Sequence, residues 1–264
     1  MKFPYGKNIL ITGASSGIGL AAAKLFSEAG YTVYAASRRC EEATQGNIHS
    51  IRMDVCDEAS VLRAREMTGE VGILLHCAGM GIAGAAEDTP EEAVRRQFEV
   101  NYFGVLRVNR IFLPNMRQRG GGLVIVTSSV AGRVPLPCQS HYSATKYALD
   151  TYVESLRMEA GRFGIRASLI EPGDTRTGFT SARTMDFPEG SPYQAACEGA
   201  VARMARDEQN GASPELAAKA ALKLAGKANP PVRVTIGLPY QLIMLLRRIM
   251  PARTFENVLE KMYK

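Results

Sequence analysis

The chain has no tryptophan, three histidines and five cysteines, and none of its apolar runs reaches the roughly 18 residues that a membrane-crossing helix needs. Cys40, Cys56, Cys77, Cys138 and Cys197 are odd in number, scattered, and form no C-x-x-C pair, which predicts reduced thiols and neither disulfides nor a zinc site. The first six residues hold no apolar stretch of the kind a secretory leader carries, so a soluble cytoplasmic protein is expected. A net charge of +6 is spread along the sequence without the basic stripe that nucleic-acid binding requires. Internal repeats and low-complexity tracts are also absent.

What is present is an apolar fraction of 46% in 264 residues, enough for a large core, with no break in composition to divide it. Short β-branched runs at residues 8–11, 32–35, 48–53, 71–75, 123–126, 167–170 and 232–236 alternate with helical patterns at 18–29, 58–67, 90–119, 142–162 and 214–223. That alternation predicts a single-domain α/β Rossmann fold, a doubly wound, mostly parallel seven-stranded sheet with helices on both faces. Asp57 and Ser213 read as N-caps. The stretch 174–210 turns irregular around Phe187-Pro188-Glu189-Gly190-Ser191-Pro192 and is expected to be a mobile substrate lid. The expected division is a cofactor half over residues 1–125 and a catalytic and substrate half over 126–264.

After the first predicted strand come Thr12, Gly13, Gly17 and Gly19, a strand, glycine turn and helix in which a diphosphate can approach the helix N-terminus. Farther on, Tyr142 and Lys146 stand four apart, so both project from one helix face. An ammonium ~4 Å from a phenol at an effective dielectric of ~20 is worth up to about 4 kcal/mol, or about three pKa units, so the lysine is expected to make the tyrosine a usable acid and base.

Thr-Gly-x-x-x-Gly-x-Gly followed by Tyr-x-x-x-Lys resembles the short-chain dehydrogenase/reductase family over roughly residues 7–236. The stretches Val126 to Gly132 and His141 to Leu149 are similar to its hydroxysteroid dehydrogenase and retinol reductase branch. The resemblance implies a reversible exchange of hydride and proton at an alcohol or ketone carbon. Asn101, Ser129, Tyr142 and Lys146 would be catalytic. Tyr142 would be the acid and base, Ser129 the group that holds the substrate oxygen, and Lys146 a contact to the cofactor ribose. Asn101 would distort its helix and hold a water next to Lys146. Ser128 competes with Ser129, and strand alternation lets only one face the site. The residues implied for cofactor binding are Gly13, Ser15, Ser16, Gly17, Ile18, Gly19, Ser37, Arg38, Arg39, Asp54, Val55, Ala78, Gly79, Asn101, Tyr142, Lys146, Pro172, Gly173, Thr175 and Thr177. No metal is expected.

At the end of the second strand, Ser37-Arg38-Arg39 offers a guanidinium to a 2′-phosphate, and no carboxylate appears before Glu41; NADP(H) is therefore the expected cofactor. Where the family has Asn-Asn-Ala-Gly this chain has His76-Cys77-Ala78-Gly79, and His76 reads as structural. Met80, Ile82, Leu136, Phe179, Phe187 and Tyr193 point to an apolar pocket, hence to a bulky steroid-like or lipid ketone or alcohol. Small β-keto acyl or xenobiotic ketones, or a nucleotide sensor without turnover, are the competing readings. The apolar segment 237–250 could close that pocket, cover a second subunit or lie on a membrane, ranked in that order, and membrane contact is not expected. The two long helices are the surfaces through which the family's dimers and tetramers form.

Overall fold

Asn8–Thr12 (β1) runs parallel to Thr32–Ser37 (β2) on one side and to Ile73–His76 (β5) on the other, and the rest of the sheet grows outward from this centre. In the computed structural model, which describes residues 3–185 and 187–263, the remaining strands are Ala43–Gln45 (β3), Ile48–Arg52 (β4), Ile82–Ala83 (β6), Gly122–Thr127 (β7), Ile165–Pro172 (β8), Thr184–Met185 (β9) and Arg233–Ile236 (β10). The main sheet has the order β10-β8-β7-β5-β1-β2-β4-β3. All of its pairings are parallel except β3 with β4. The seven expected strands are therefore present and parallel. The eighth, β3, is a short antiparallel edge folded back on β4, with every residue exposed and no apolar pattern to announce it.

The helices are Gly17–Glu28 (α1), Glu58–Thr68 (α2), Glu91–Phe98 (α3), Gly104–Gln118 (α4), Ser140–Ala160 (α5), Phe179–Ala182 (α6), Gln194–Gln209 (α7), Pro214–Ala225 (α8), Leu238–Ile249 (α9) and Ala252–Tyr263 (α10). Asp57 caps α2 by accepting from Ala59 N at 3.0 Å, and Ser213 caps α8 by accepting from Glu215 N at 3.3 Å. Two cores cover the two faces of the sheet. One joins Leu74, Val124 and Val126 to Val108, Phe112, Leu149 and Val153; the other joins Ile9, Ile11 and Leu75 to Ala22, Phe26, Ala218 and Leu224. A third, small core of Val130, Val134, Met244, Phe255 and Leu259 ties α9 and α10 to the loop after β7.

The order of strands reverses between β1 and β5, so the loops leaving these two strands diverge and open a crevice at their carboxyl ends. The expected long helix of residues 90–119 is broken by one π-helical turn, Glu99–Phe103, between α3 and α4, and Asn101 lies in it. The expected lid is less irregular than its sequence: α6, β9 and the 16-residue α7 lie within it, and β9 pairs with β6. Asp186 is outside the described residues.

One expectation is overturned. Cys138 and Cys197 form a disulfide, and only Cys40, Cys56 and Cys77 are free. The two partners are 59 residues apart in sequence and meet because the loop before α5 packs against α7, a juxtaposition that spacing along the chain does not reveal.

Candidate active site

Thr12 closes β1 and ties the glycine turn to the loop after β5, its Oγ1 accepting from Cys77 N and Ala78 N at 3.2 Å each. Gly13 has φ +69°, and a Cβ there would lie 2.6 Å from Ala78 N; a Cβ on Gly19 would lie 2.3 Å from the Gly13 carbonyl oxygen. Only glycine allows both approaches. The N-terminus of α1 has no side-chain cap and no acidic residue in its first turn, which leaves its amides and its positive dipole end to an anion. The turn therefore fits a dinucleotide diphosphate.

A cavity of about 550 Å³ runs from this turn across the carboxyl ends of the strands. Of the residues expected to hold the cofactor, all line it except Arg39 and Asn101. Arg38 stands exposed at its outer end with Asp54, whose Oδ1 accepts from Cys56 N at 2.9 Å. A second recess of about 750 Å³ shares Arg38 and Asp54 and runs along Val94 to Val100, but contains none of the expected acid–base residues.

Asn101 acts on the neighbouring loop. Its Oδ1 accepts from Met80 N at 2.8 Å while its Nδ2 donates to Met80 O at 2.9 Å and to Thr145 Oγ1 at 3.2 Å. The π-turn thus pins the loop after β5 to α5, and the side-chain amide is spent on protein partners. Both serines follow the end of β7 and line the cavity, but their hydroxyls diverge. Ser128 turns its hydroxyl to Asp150 Oδ1 at 2.6 Å, whereas Ser129 donates to Pro172 O at 3.4 Å on the Tyr142 side of the wall.

Lys146 is buried, and its Nζ donates to Thr127 O at 2.9 Å and lies 5.7 Å from the centre of the Tyr142 ring. Burial lowers its pKa to about 8. Tyr142 moves opposite to the sequence-based expectation: burial raises its hydroxyl to about 12, against the lowering hydrogen bond from Ser129. The charges acting on it are Glu208, which raises the value, and Arg183, which lowers it. The lysine is committed to the Thr127 carbonyl, and desolvation dominates the phenol. The phenol is thus firmly protonated at neutral pH.

Beyond Tyr142 the cavity is walled by Leu136, Phe179, Tyr240, Ile243, Leu259 and Met262. The Phe179 ring lies 5.5 Å from the Tyr142 ring, centre to centre. Met80, Leu136 and Phe179 are where the sequence reading places them. Ile82 is in β6, Phe187 does not line the chamber, and Tyr193 turns away to donate to Glu87 Oε2 at 2.8 Å. Tyr240 packs its ring on Gly173, where a Cβ would lie 2.3 Å from it, and donates to Asp174. A buried pair, Arg183 with Glu208, forms the lid side together with Thr180, which donates to Glu208 Oε2 at 2.5 Å.

Sequence reasoning missed Arg183, Glu208 and the whole of α10, because each acts through a tertiary contact and none belongs to a spaced motif. His76 is buried and bonds Asn109 Oδ1 through Nε2 at 3.0 Å, and burial lowers its pKa to about 4. It steadies the join between β5 and α4. Among the described residues no group of three or more histidine, cysteine or acidic side chains could hold a metal ion.

Residues 7–187 match the family model described as short chain dehydrogenase. The chain is 37% identical over 235 residues to the 3-ketodihydrosphingosine reductase of Bacteroides thetaiotaomicron, with 87% of each chain covered. It is 40% identical over 203 residues to human 17-beta-hydroxysteroid dehydrogenase type 1, covering 70% of this chain and 60% of that one. A short-chain dehydrogenase from Streptomyces avermitilis superposes with a TM-score of 0.82 at 32% identity, covering 97% of both chains. A short chain dehydrogenase from Burkholderia cenocepacia, solved in complex with NADP, superposes with a TM-score of 0.78 at 24% identity over 98% of this chain and 99% of that one, and shows the fold alone.

Proposed function

Since this chain belongs to the short-chain dehydrogenase/reductase family, with its hydroxysteroid dehydrogenase and retinol dehydrogenase relatives, we propose that it is an NADP(H)-dependent oxidoreductase that reduces a bulky apolar ketone to a secondary alcohol. The observation that carries the reading is the continuity of one cavity, from the glycine turn past Ser129, Tyr142 and Lys146 to an apolar chamber. The cofactor, when bound, supplies the hydride.

The protein's own residues do the rest. Ser129 holds the carbonyl oxygen, and Tyr142, protonated at neutral pH, gives its proton to that oxygen as negative charge develops. Lys146, charged up to about pH 8, sets a cation beside the phenol and offers Nζ to the ribose of the nucleotide. Oxidation runs the same steps in reverse, with the phenolate accepting the proton of the alcohol. Arg38 at the end of β2 selects the 2′-phosphate. The relatives that act on a keto-sphingoid base and a hydroxysteroid, together with the apolar chamber, support a lipid substrate.

The proposed assignment of residues is the one drawn from the sequence. Asn101 is the exception, serving as the clamp of the Met80 loop in place of a water-holding group, while residues 1–125 form the cofactor half and 126–264 the catalytic half of one domain. Phe103, Tyr147 and Met158, exposed on the two long helical stretches, support a homodimer or homotetramer. No helix among the described residues is long and apolar enough to cross a membrane, and a cytoplasmic setting remains the reading, with the disulfide as the observation that pulls against it.

The test is a panel of steroid, sphingoid and short aliphatic ketones, followed by loss of NADPH absorbance. Bulky ketones should exceed short ones by about tenfold or more in kcat/KM. Tyr142→Phe should abolish turnover while leaving NADPH affinity within about threefold. Arg38→Asp should turn the preference toward NADH. Equal rates on small and bulky ketones would defeat the lipid reading, and turnover by the phenylalanine variant would defeat the chemistry.

A further inference from the structure

The helix α9 is apolar on two sides. Its inner side sets Tyr240 and Ile243 against the cavity and Met244 into the small core, so it closes the lipophilic chamber as the sequence analysis ranked first. Its outer side is not accounted for by that role. Leu238, Leu242, Leu245 and Ile249, spaced by four, three and four residues, fall on one line along the helix and are 54–79% exposed. Val258 and Met262, one turn apart on the adjoining α10, are exposed as well. Isolated exposed leucines need no explanation, but an unbroken stripe of them does.

Along α9 itself the charge has one sign, whereas α10 carries Glu256 and Glu260 beside Lys261. From Gly237 to Phe255 there is no aspartate or glutamate, while Arg247, Arg248 and Arg253 are present, within a chain of net charge +6. Arg248 and Arg253 are exposed, and Arg247 lies over the Phe255 ring at 5.4 Å. An apolar line flanked by arginines on a short helix, without a span long enough to cross, is the pattern of a helix lying in the boundary between headgroups and acyl chains.

We propose that α9 seats this protein on the surface of a bilayer containing anionic lipid, its outer stripe among the acyl chains and Arg248 and Arg253 against headgroup phosphates. The same helix then has lipid on one side and the reaction chamber on the other, and an apolar ketone reaches Tyr142 along it without crossing water. This reverses the sequence-based expectation of no membrane contact. Seating a second copy on the stripe is the weaker occupant. A helix of 12 residues is ~18 Å long, too narrow by itself for the ~800 Å² per partner of a stable interface.

The inference rests on the apolar-substrate reading for its purpose but not for its measurement. Full-length protein would be sedimented with phosphatidylcholine vesicles with and without phosphatidylglycerol. Sedimentation should be greater with the anionic vesicles, should fall as salt is raised, and should weaken about tenfold or more in Leu242→Glu/Leu245→Glu. Arg248→Glu/Arg253→Glu should remove the preference for anionic lipid. Melting temperature and turnover of a short, water-soluble ketone check that the exposed substitutions leave the fold intact. Absence of wild-type protein from the anionic pellet would overturn the proposal, as would equal sedimentation of the leucine double variant. A double variant that falls to a smaller species on gel filtration while still sedimenting would assign the stripe to a second copy instead. If no ketone is turned over while vesicle binding holds, the substrate reading falls and the docking surface stands.

Discussion

At the scale of single residues, the protein keeps two basic side chains in places that favour their neutral forms, with opposite consequences for function and stability. Lys146, lowered to about 8, still carries its charge at neutral pH, and the Thr127 carbonyl accepts from it. His76, lowered from 6.5 to about 4, does not: it sits neutral between β5 and α4 and bonds Asn109. Between pH 6.5 and 4 the unfolded chain takes up a proton at this histidine and the folded chain does not. Stability therefore declines as the pH falls through that window, by about 3 kcal/mol from this group alone. His76→Asn, which can still face the Asn109 amide, should remove that share of the acid lability while leaving stability at neutral pH within about 1 kcal/mol. Urea unfolding of the two proteins across the window measures it. Parallel curves for wild type and variant would show that the acid loss arises elsewhere.

At the scale of elements, legibility followed the range of the interaction that builds each piece. The seven parallel strands, the glycine turn, and the caps at Asp57 and Ser213 are local patterns of two to eight residues, and they lie where their residues predict. The break of the helix at Asn101 was implied by resemblance and appears as the π-turn. The edge strand β3 has no pattern because nothing covers it, and α10 has one only once its partner core of Val134 and Met244 is known. The disulfide is the extreme case, since Cys138 sits at φ +57° in a loop and is joined to Cys197 on α7, 59 residues away. Next to it Gln139 Nε2 donates to Met204 Sδ at 3.4 Å, so the bridge and this contact hold α7, and with it Glu208, against the loop that leads into Tyr142. A bridge enclosing 59 residues is worth about 2–4 kcal/mol in folding. Cys138→Ser, or a thiol reductant acting on wild type, should lower the melting temperature and raise KM for a bulky ketone more than for a short one. Calorimetry with and without reductant checks the assignment: the variant should no longer respond to reductant, and an unchanged wild-type melt would exclude a stabilising bridge.

At the scale of the whole molecule, α5 has to hold Tyr142 and Lys146 in register with strands from the far half of the chain, and one side chain does much of that joining. Arg233, on the edge strand β10, pairs with Asp150 at 3.1 Å and with Glu154, both on α5, and with Glu171 on β8. Ser128 donates to Asp150, and Thr235 donates to Glu171 Oε2 at 2.7 Å, which completes a buried polar seam from the residue beside Ser129 to the last strand of the sheet. Burial raises the Asp150 carboxyl above its usual range, against the lowering hydrogen bond from Ser128 and the charge and hydrogen bond of Arg233. Without that guanidinium, Asp150 and the fully buried Glu171 would face each other uncompensated. Arg233→Met, which retains the stem, should therefore cost about 3 kcal/mol at neutral pH, a figure at the low end for buried pairs because the arginine is itself a quarter exposed. The Asp150 carboxyl, already raised by burial, would lose its cationic partner, so the cost is present at neutral pH and recedes as acid protonates it. Urea unfolding of variant and wild type at neutral and at mildly acidic pH reads this directly. A stability gap that stays constant, or widens, on acidification would mean that the loss comes from packing of the arginine stem and not from the seam of charges.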